Sequence, residues 1–198
     1  MLTYRIKEKF WFWDADFWIQ DEKGHNLYKL NKKWFSSSVA LNEGDDELLI
    51  IRKPLFALKH DCYQIVRNKI VLAEIKEKLL WFQHKHVLEL ADVEYVVDES
   101  KWNNNSVFTI KNKGFVVAHV HKKMLDLTGS FWVDIDVDPA YYEGEALKEM
   151  CLTVLAACIV MLQLLHEQDR QILNKERKEA LDKMPLQAIH EKVSQTEK

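Results

Sequence analysis

The sequence contains few of the residues that interrupt or cross-link a chain. It has 5 Gly and 3 Pro among 198 residues, so no long flexible linker is visible and one domain, with or without an appendage, is expected. The three cysteines, Cys62, Cys151 and Cys158, make no disulfide framework, which suits a reducing compartment. Charged residues interrupt the apolar residues of the N-terminus, unlike the layout of a signal peptide. We therefore expect a cytoplasmic protein.

Motifs that would identify an enzyme are also missing. The sequence has no GxSxG, no phosphate-binding GxxxxGK or GxGxxG, and no HExxH. The net charge of −3 and the pI near 6.2 argue against a general nucleic-acid binder, which would usually be basic. The sequence therefore predicts a protein that is not an enzyme, needs no cofactor and does not bind nucleic acid.

Short segments rich in β-branched and aromatic residues alternate with turn sequences as far as Pro139. Strands are predicted, among others, at 47–52, 62–67, 70–76, 107–111, 115–121 and 131–137. This regular spacing indicates an antiparallel barrel or sandwich, and a closed barrel has no exposed sheet edges. Because eight strands leave room only for side chains or one small ligand, a barrel that holds a helix needs about twelve.

The segment from Glu145 to His166 predicts a helix that is apolar on almost every side. No charged residue occurs between Met150 and Leu165. A helix of this kind is either enclosed by protein or crosses a membrane. A membrane span needs about 20 apolar residues, and this run is shorter. We therefore expect a core helix, with a membrane span over residues 147–165 as the alternative.

Together these signals predict a mainly β fold: a barrel of about twelve antiparallel strands that encloses a hydrophobic C-terminal helix. The barrel and its central helix (142–166) would form one domain over residues 1–166. Residues 167–198 are highly charged with sparse apolar positions. We expect them to form a solvated tail that is helical or partly disordered.

A weak repeat marks one end of successive predicted hairpins. An apolar residue is followed three positions later by Lys, at intervals of roughly 20–25 residues. The copies are Ile6–Lys9, Leu30–Lys33, Ile50–Lys53, Ile75–Lys78 and Val120–Lys123. Basic residues at such corners could bind an anionic group such as a lipid headgroup, or could only solvate strand ends. The candidate ligand-binding residues are Lys9, Lys33, Lys53, Lys78, Lys122 and Lys123.

Aromatic residues are concentrated near the N-terminus. Trp11 and Trp13 share one face of a predicted strand, and Trp18 lies in the next segment. A barrel strand needs only one apolar face, so these tryptophans could contact a partner protein or a membrane interface. The alternative is that a second apolar layer covers them.

Two pairs of histidines could bind a metal. His84 with His86, and His119 with His121, each place two imidazoles on one face of a strand. If the two strands were neighbours, four histidines could converge on zinc. Because Val120 belongs to the predicted core face, His119 and His121 should face outward. Ordinary surface histidines are the alternative, and we expect no metal.

Three aspartates alternate along the last predicted strand. Asp134, Asp136 and Asp138 could bind calcium, but they lack the Gly and the terminal Glu of a dedicated calcium loop. A solvated strand face before Pro139 explains them equally well.

The order of several loose motifs resembles the LURP-one-related family, which belongs with tubby C-terminal-like proteins and phospholipid scramblases. Matching residues at the start of the chain are Tyr4, Ile6, Lys7, Lys9, Phe10, Asp14, Phe17, Ile19, Asp21, Glu22, Gly24, Tyr28, Lys33 and Phe35. Further matches are Ile50, Lys53, Leu55, Leu58, Tyr63, Ile65, Ala73, Ile75, Lys78, Ala118, Val120, Lys122 and Lys123. The resemblance covers residues 1–166. Pro54, the serines at 37–38 and the charged tail depart from the family pattern.

The resemblance implies a twelve-stranded barrel around a hydrophobic helix, but no catalytic residue. Tubby-type members bind phosphoinositides on a basic surface, and scramblase-like members work at membranes. We therefore expect a non-enzymatic intracellular binding or adaptor module, peripheral to the membrane, that recognises anionic phospholipid or a protein partner. The alternatives are a metal- or small-molecule-dependent enzyme built on the histidine pairs and a scramblase-like membrane protein.

Overall fold

A computed structural model of the chain describes residues 1–7, 17–32, 38–54, 62–80, 83–90, 92–99, 106–122, 130–136 and 142–182. These residues form twelve β-strands and one α-helix. The elements are β1 (Leu2–Lys7), β2 (Phe17–Gln20), β3 (Asn26–Lys32), β4 (Ser38–Glu43), β5 (Asp46–Arg52), β6 (Cys62–Arg67), β7 (Ile70–Leu80), β8 (Gln83–Leu90), β9 (Val93–Asp98), β10 (Ser106–Asn112), β11 (Phe115–Lys122), β12 (Ser130–Ile135) and α1 (Gly144–Asp182).

The twelve strands form a closed barrel in which each strand pairs with its neighbours in the sequence. Every pairing is antiparallel. The first and last strands close the barrel, with a register that runs from Leu2 opposite Ile135 to Lys7 opposite Ser130. The predicted barrel of about twelve antiparallel strands is therefore confirmed, and closure satisfies the backbone groups that an open edge would expose.

Tight turns join neighbouring strands where the sequence supplies residues that accept a positive φ. Gly24 has a φ of 87° between β2 and β3, and Gly114 has a φ of 90° between β10 and β11. Asn68 and Lys69 both have positive φ between β6 and β7. Two consecutive residues of this kind make a turn whose twist matches that of the flanking strands.

Helix α1 fills the interior of the barrel over its first half. Side chains alternate along each strand, and the inward set includes Ile65, Phe108 and Val120. Every residue from Met150 to Met161 is buried, although a helix lying on an outer face would keep a solvent-exposed side. The helix is long and apolar enough to cross a membrane, but 83% of its most apolar stretch is buried inside the protein. The predicted core helix is confirmed.

Polar contacts fix the first turns of α1 to two strand ends. The Lys148 ammonium group donates a hydrogen bond to Glu43 Oε2 at the end of β4 (2.8 Å), and Arg67 at the end of β6 forms an ion pair with Glu149. Strands β4 and β6 both finish at the same end of the barrel. The helix therefore enters the barrel at the end where the even-numbered strands finish.

The chain forms two compact units, Met1–Met161 and Leu162–Lys198. The central helix was predicted over residues 142–166 with a helical or partly disordered tail after it, and α1 begins at Gly144 and continues without a break to Asp182. No Gly or Pro occurs between Glu145 and Asp182, so the change in composition does not stop the helix. In the second unit the helix is exposed from Arg170 to Glu179. The remainder of the tail, including Pro185, lies outside the described residues.

Candidate functional site: the basic end of the barrel and a histidine–aspartate cluster

The barrel topology brings the basic corners to one end. Because neighbouring strands are antiparallel, all odd-numbered strands finish at the same end of the barrel. We call it the basic end, because four of those strands finish at a basic residue, Lys7, Lys32, Arg52 or Lys122, and Lys78 lies two residues before the end of β7. The sequence repeat could not reveal this convergence, since it depends on strand pairing and not on strand spacing.

Two of the candidate lysines lie over aromatic rings at the basic end. The Lys53 ammonium nitrogen is 5.4 Å from the centre of the Tyr63 ring, and that of Lys122 is 4.7 Å from the centre of the Phe131 ring. Tyr63 and Phe131 are each the second residue of the next strand, and both are buried. A cation over an aromatic face gains about 0.5–1 kcal/mol at an exposed site. These contacts hold both ammonium groups at the rim of the barrel.

Carboxylates neutralise another lysine of the odd-numbered strands. Lys76 Nζ lies 2.6 Å from Glu74 Oε2 and 2.9 Å from Glu89 Oε2. The hydrogen bonds that Lys76 donates to these two carboxylates raise the pKa of Lys76, and the bond with Lys76 lowers the pKa of Glu74. Lys76 therefore contributes little positive potential to the basic end.

The opposite end of the barrel is predominantly acidic. Its hairpins and the start of α1 carry Asp21, Glu22, Glu43, Asp45, Asp46, Glu47, Asp92, Glu94, Asp136, Glu143, Glu145 and Glu149, against Lys23, Lys69 and Lys113 on the hairpin turns, Arg67 at the end of β6 and Lys148 in α1. Charge is therefore separated along the barrel axis. This separation explains how a chain with a net charge of −3 presents a basic surface at one end.

The remaining predicted site residues are only partly described. Trp18, the second residue of β2, lies near the basic end, and its side chain is 40% exposed. The backbone of Lys78 lies in β7, but its side chain is outside the described part of the structure. Also outside the described residues are Lys9, Lys33, Lys123, Trp11 and Trp13.

The two predicted histidine pairs do not meet. His84 and His86 lie on β8, whereas His119 and His121 lie on β11, and the barrel order places β9 and β10 between them. The condition for a four-histidine site, that the two strands are neighbours, is therefore not met. His86 is buried, and its Nδ1 is 3.1 Å from Glu99 Oε1 just after β9.

A different cluster forms around the second pair. His119 and His121 are partly exposed and point outward, as the apolar core face predicted. Their rings stack with centres 4.9 Å apart. Asp134 on β12 lies directly opposite His119 in the strand register, and its Oδ2 is 3.5 Å from His121 Nδ1. One donor atom from each of these three residues lies within 4.8 Å of the other two.

Two hydroxyl groups contact this cluster from neighbouring strands. Thr3 on β1 donates a hydrogen bond to Asp134 Oδ1 (2.8 Å), and Ser106 Oγ on β10 is 3.1 Å from His119 Nε2. A register shift lies between Ser106 and Phe108. A bulge of this kind redirects a side chain, and it explains why Ser106 contacts His119 while Phe108 points into the core.

Sequence reasoning did not connect Asp134 with the histidines. It lies more than a dozen residues away along the chain, outside any recognised ligand spacing. The strand alternation of both segments was visible, but the register that places Asp134 opposite His119 was not.

The structure defines a class of protein: a closed, helix-filled, twelve-stranded antiparallel barrel with one basic end. The sequence model of one family, LURP-one-related, matches residues 2–143. The chain therefore belongs to the LURP-one-related family, as its motifs predicted. The match ends just before α1 begins. No curated protein and no solved structure matches the chain.

Proposed function

We propose that this protein is a non-enzymatic binding module that attaches to an anionic phospholipid surface through the basic end of its barrel. It works in the cytoplasm, at the periphery of a membrane. The candidate contacts include Lys53 and Lys122 at the rim and Trp18 beside it.

The observation that carries this proposal is the convergence of four basic strand ends, with Lys78 close by on β7, at one end of a closed barrel. Each basic residue close to an acidic membrane surface adds about 1 kcal/mol of attraction. The exposed ring of Trp18 supports a lipid surface in particular, because tryptophan favours the headgroup region. Charge separation also orients the protein, since the acidic end is repelled by the same surface.

Co-sedimentation with liposomes tests this function. The full chain is mixed with neutral vesicles and with vesicles that contain anionic phospholipid, at low and at high salt. We expect binding to the anionic vesicles only, and we expect high salt to release it, because exposed charges are screened beyond about 10 Å at 0.1 M salt.

Two double variants with the same change in net charge locate the binding surface. Lys53→Glu/Lys122→Glu reverses charge at the basic end, whereas Lys69→Glu/Lys113→Glu does so on turns at the acidic end. Only the first should abolish binding, and Trp18→Ala should weaken it. Equal losses in both double variants would mean that net charge governs binding, which contradicts the proposal. Absence of binding to any vesicle would also contradict it and would favour a protein partner instead.

A further inference from the structure

We propose that His119, His121 and Asp134 form a binding site for a divalent transition-metal ion, with zinc as the expected ion. The site lies on the outer surface of the barrel, away from the core helix, and it is independent of the proposed lipid binding. It combines the two imidazoles of a His-x-His pair on β11 with one carboxylate on β12.

The donor atoms have the chemistry that zinc requires, and their spacing is close to that of a zinc site. Zinc binds imidazole nitrogen and carboxylate oxygen at about 2.0–2.2 Å, so donors in a tetrahedral site are separated by about 3.4 Å. Asp134 Oδ2 and His121 Nδ1 already lie 3.5 Å apart, and all three donor atoms lie within 4.8 Å of one another. Because the two rings stack with an interplanar angle of 23°, one of the partly exposed imidazoles must rotate out of the stack to direct its in-plane lone pair at the same ion. A solvent molecule supplies the fourth ligand.

Neighbouring side chains orient two of the three ligands. Thr3 donates to Asp134 Oδ1, which leaves Oδ2 toward His121. When His119 Nε2 donates its proton to Ser106 Oγ, its Nδ1 carries the lone pair that a metal needs. Outer contacts of this kind fix ring tautomers and carboxylate orientations in protein metal sites.

The location of the site predicts what the metal does to the barrel. The ligands join β11 to β12, and Thr3 belongs to β1, which pairs with β12 to close the barrel. A metal ion bound here therefore stabilises the strands beside the closure. Because the unfolded chain does not hold the three ligands together, zinc at 100 times its Kd should raise Tm by about 5–10 °C.

Isothermal titration of the untagged full chain with ZnCl2 tests the site. We expect one zinc ion per chain, and we expect His121→Ala and Asp134→Asn each to abolish stoichiometric binding. Thr3→Val and Ser106→Ala should each weaken it by about 10–100-fold, which is typical of residues that orient metal ligands. His25→Ala is the matched control, because His25 contacts Asp21 at 2.9 Å but has no second histidine in a described cluster; its zinc affinity should equal that of the wild type.

Co2+ gives a second measurement that does not depend on the heat of binding. A four-coordinate Co2+ ion should show visible absorption bands in the wild type and in His25→Ala, but not in Asp134→Asn. Melting curves without metal show whether each variant is folded. Wild-type zinc affinity in a folded Asp134→Asn variant, or no stoichiometric binding by the wild type, would overturn the proposal. The variants of Lys53 and Lys122 should bind zinc normally, so failure of this proposal and failure of lipid binding can be distinguished.

Discussion

Replacing Ala157 by glutamate would place a carboxylate at a position that is 0% exposed, in the part of α1 that lies inside the barrel. Its helical neighbours from Met150 to Met161 are buried as well. No solvent-facing side is available to which the longer side chain could turn. The substitution therefore tests whether the helix is enclosed.

The expected cost is comparable with the whole stability of the domain. Keeping a fully buried carboxylate ionised costs up to about 4–7 kcal/mol, from the pKa changes seen for such groups. Forcing a larger side chain into a packed core adds about 1–3 kcal/mol. Native proteins are stable by about 5–15 kcal/mol. We therefore expect Ala157→Glu to be largely unfolded at neutral pH.

Circular dichroism and thermal melting of the full chain measure this effect. Ala146→Glu is the matched control, since Ala146 is exposed in the first turn of the same helix, where a negative charge is favourable. Ala157→Gln separates size from charge. Because burial raises the pKa of the new carboxyl, the destabilisation by glutamate should increase as pH rises above about 4.3, whereas that by glutamine should not. A folded Ala157→Glu variant with the wild-type Tm would refute the enclosed helix.

Two further predictions concern the core. Phe108→Ala should lower the free energy of unfolding by about 3–5 kcal/mol, because it empties a fully buried position. Phe115→Ala on the same hairpin should leave the free energy of unfolding unchanged, since Phe115 is 78% exposed. Urea unfolding of both variants measures the two effects, and equal effects would contradict the described register. Burial raises the pKa of the Cys158 thiol above its usual value of 9.0, so the folded state holds this proton more tightly than the unfolded state does. The contribution of this thiol to the free energy of unfolding is therefore fully present below pH 9 and is lost as pH rises further. Cys158→Ala should reduce the fall in Tm between pH 9 and pH 10. An unchanged fall would show that other groups cause it.

Much of the barrel could be predicted because its signals are local. The predicted strand at 62–67 has the observed bounds of β6, and the next strand begins at Ile70, as predicted. Strand alternation and turn chemistry both act between residues that are close in sequence. The end of β7 at Leu80 was less visible, since apolar residues continue beyond the predicted end at residue 76.

The candidate sites were less predictable because each depends on residues that are distant in sequence. The outward direction of His121 followed from alternation, but its contact with Asp134 follows only from the pairing of β11 with β12. The separation of His86 from His119 likewise depends on the barrel order. Register and order are properties of paired strands, which a single segment does not contain.

The sequence by itself determined the mainly β architecture, the apolar core helix and the membership of the LURP-one-related family. Alternation, turn residues and the uncharged run from Met150 to Leu165 are written along the chain and need no partner to be recognised. Only the tertiary structure decided that the basic strand ends converge and that Asp134 joins the two histidines. Closure of the barrel fixes the direction and register of every strand at once, and this brings together side chains that have no relation in the linear sequence.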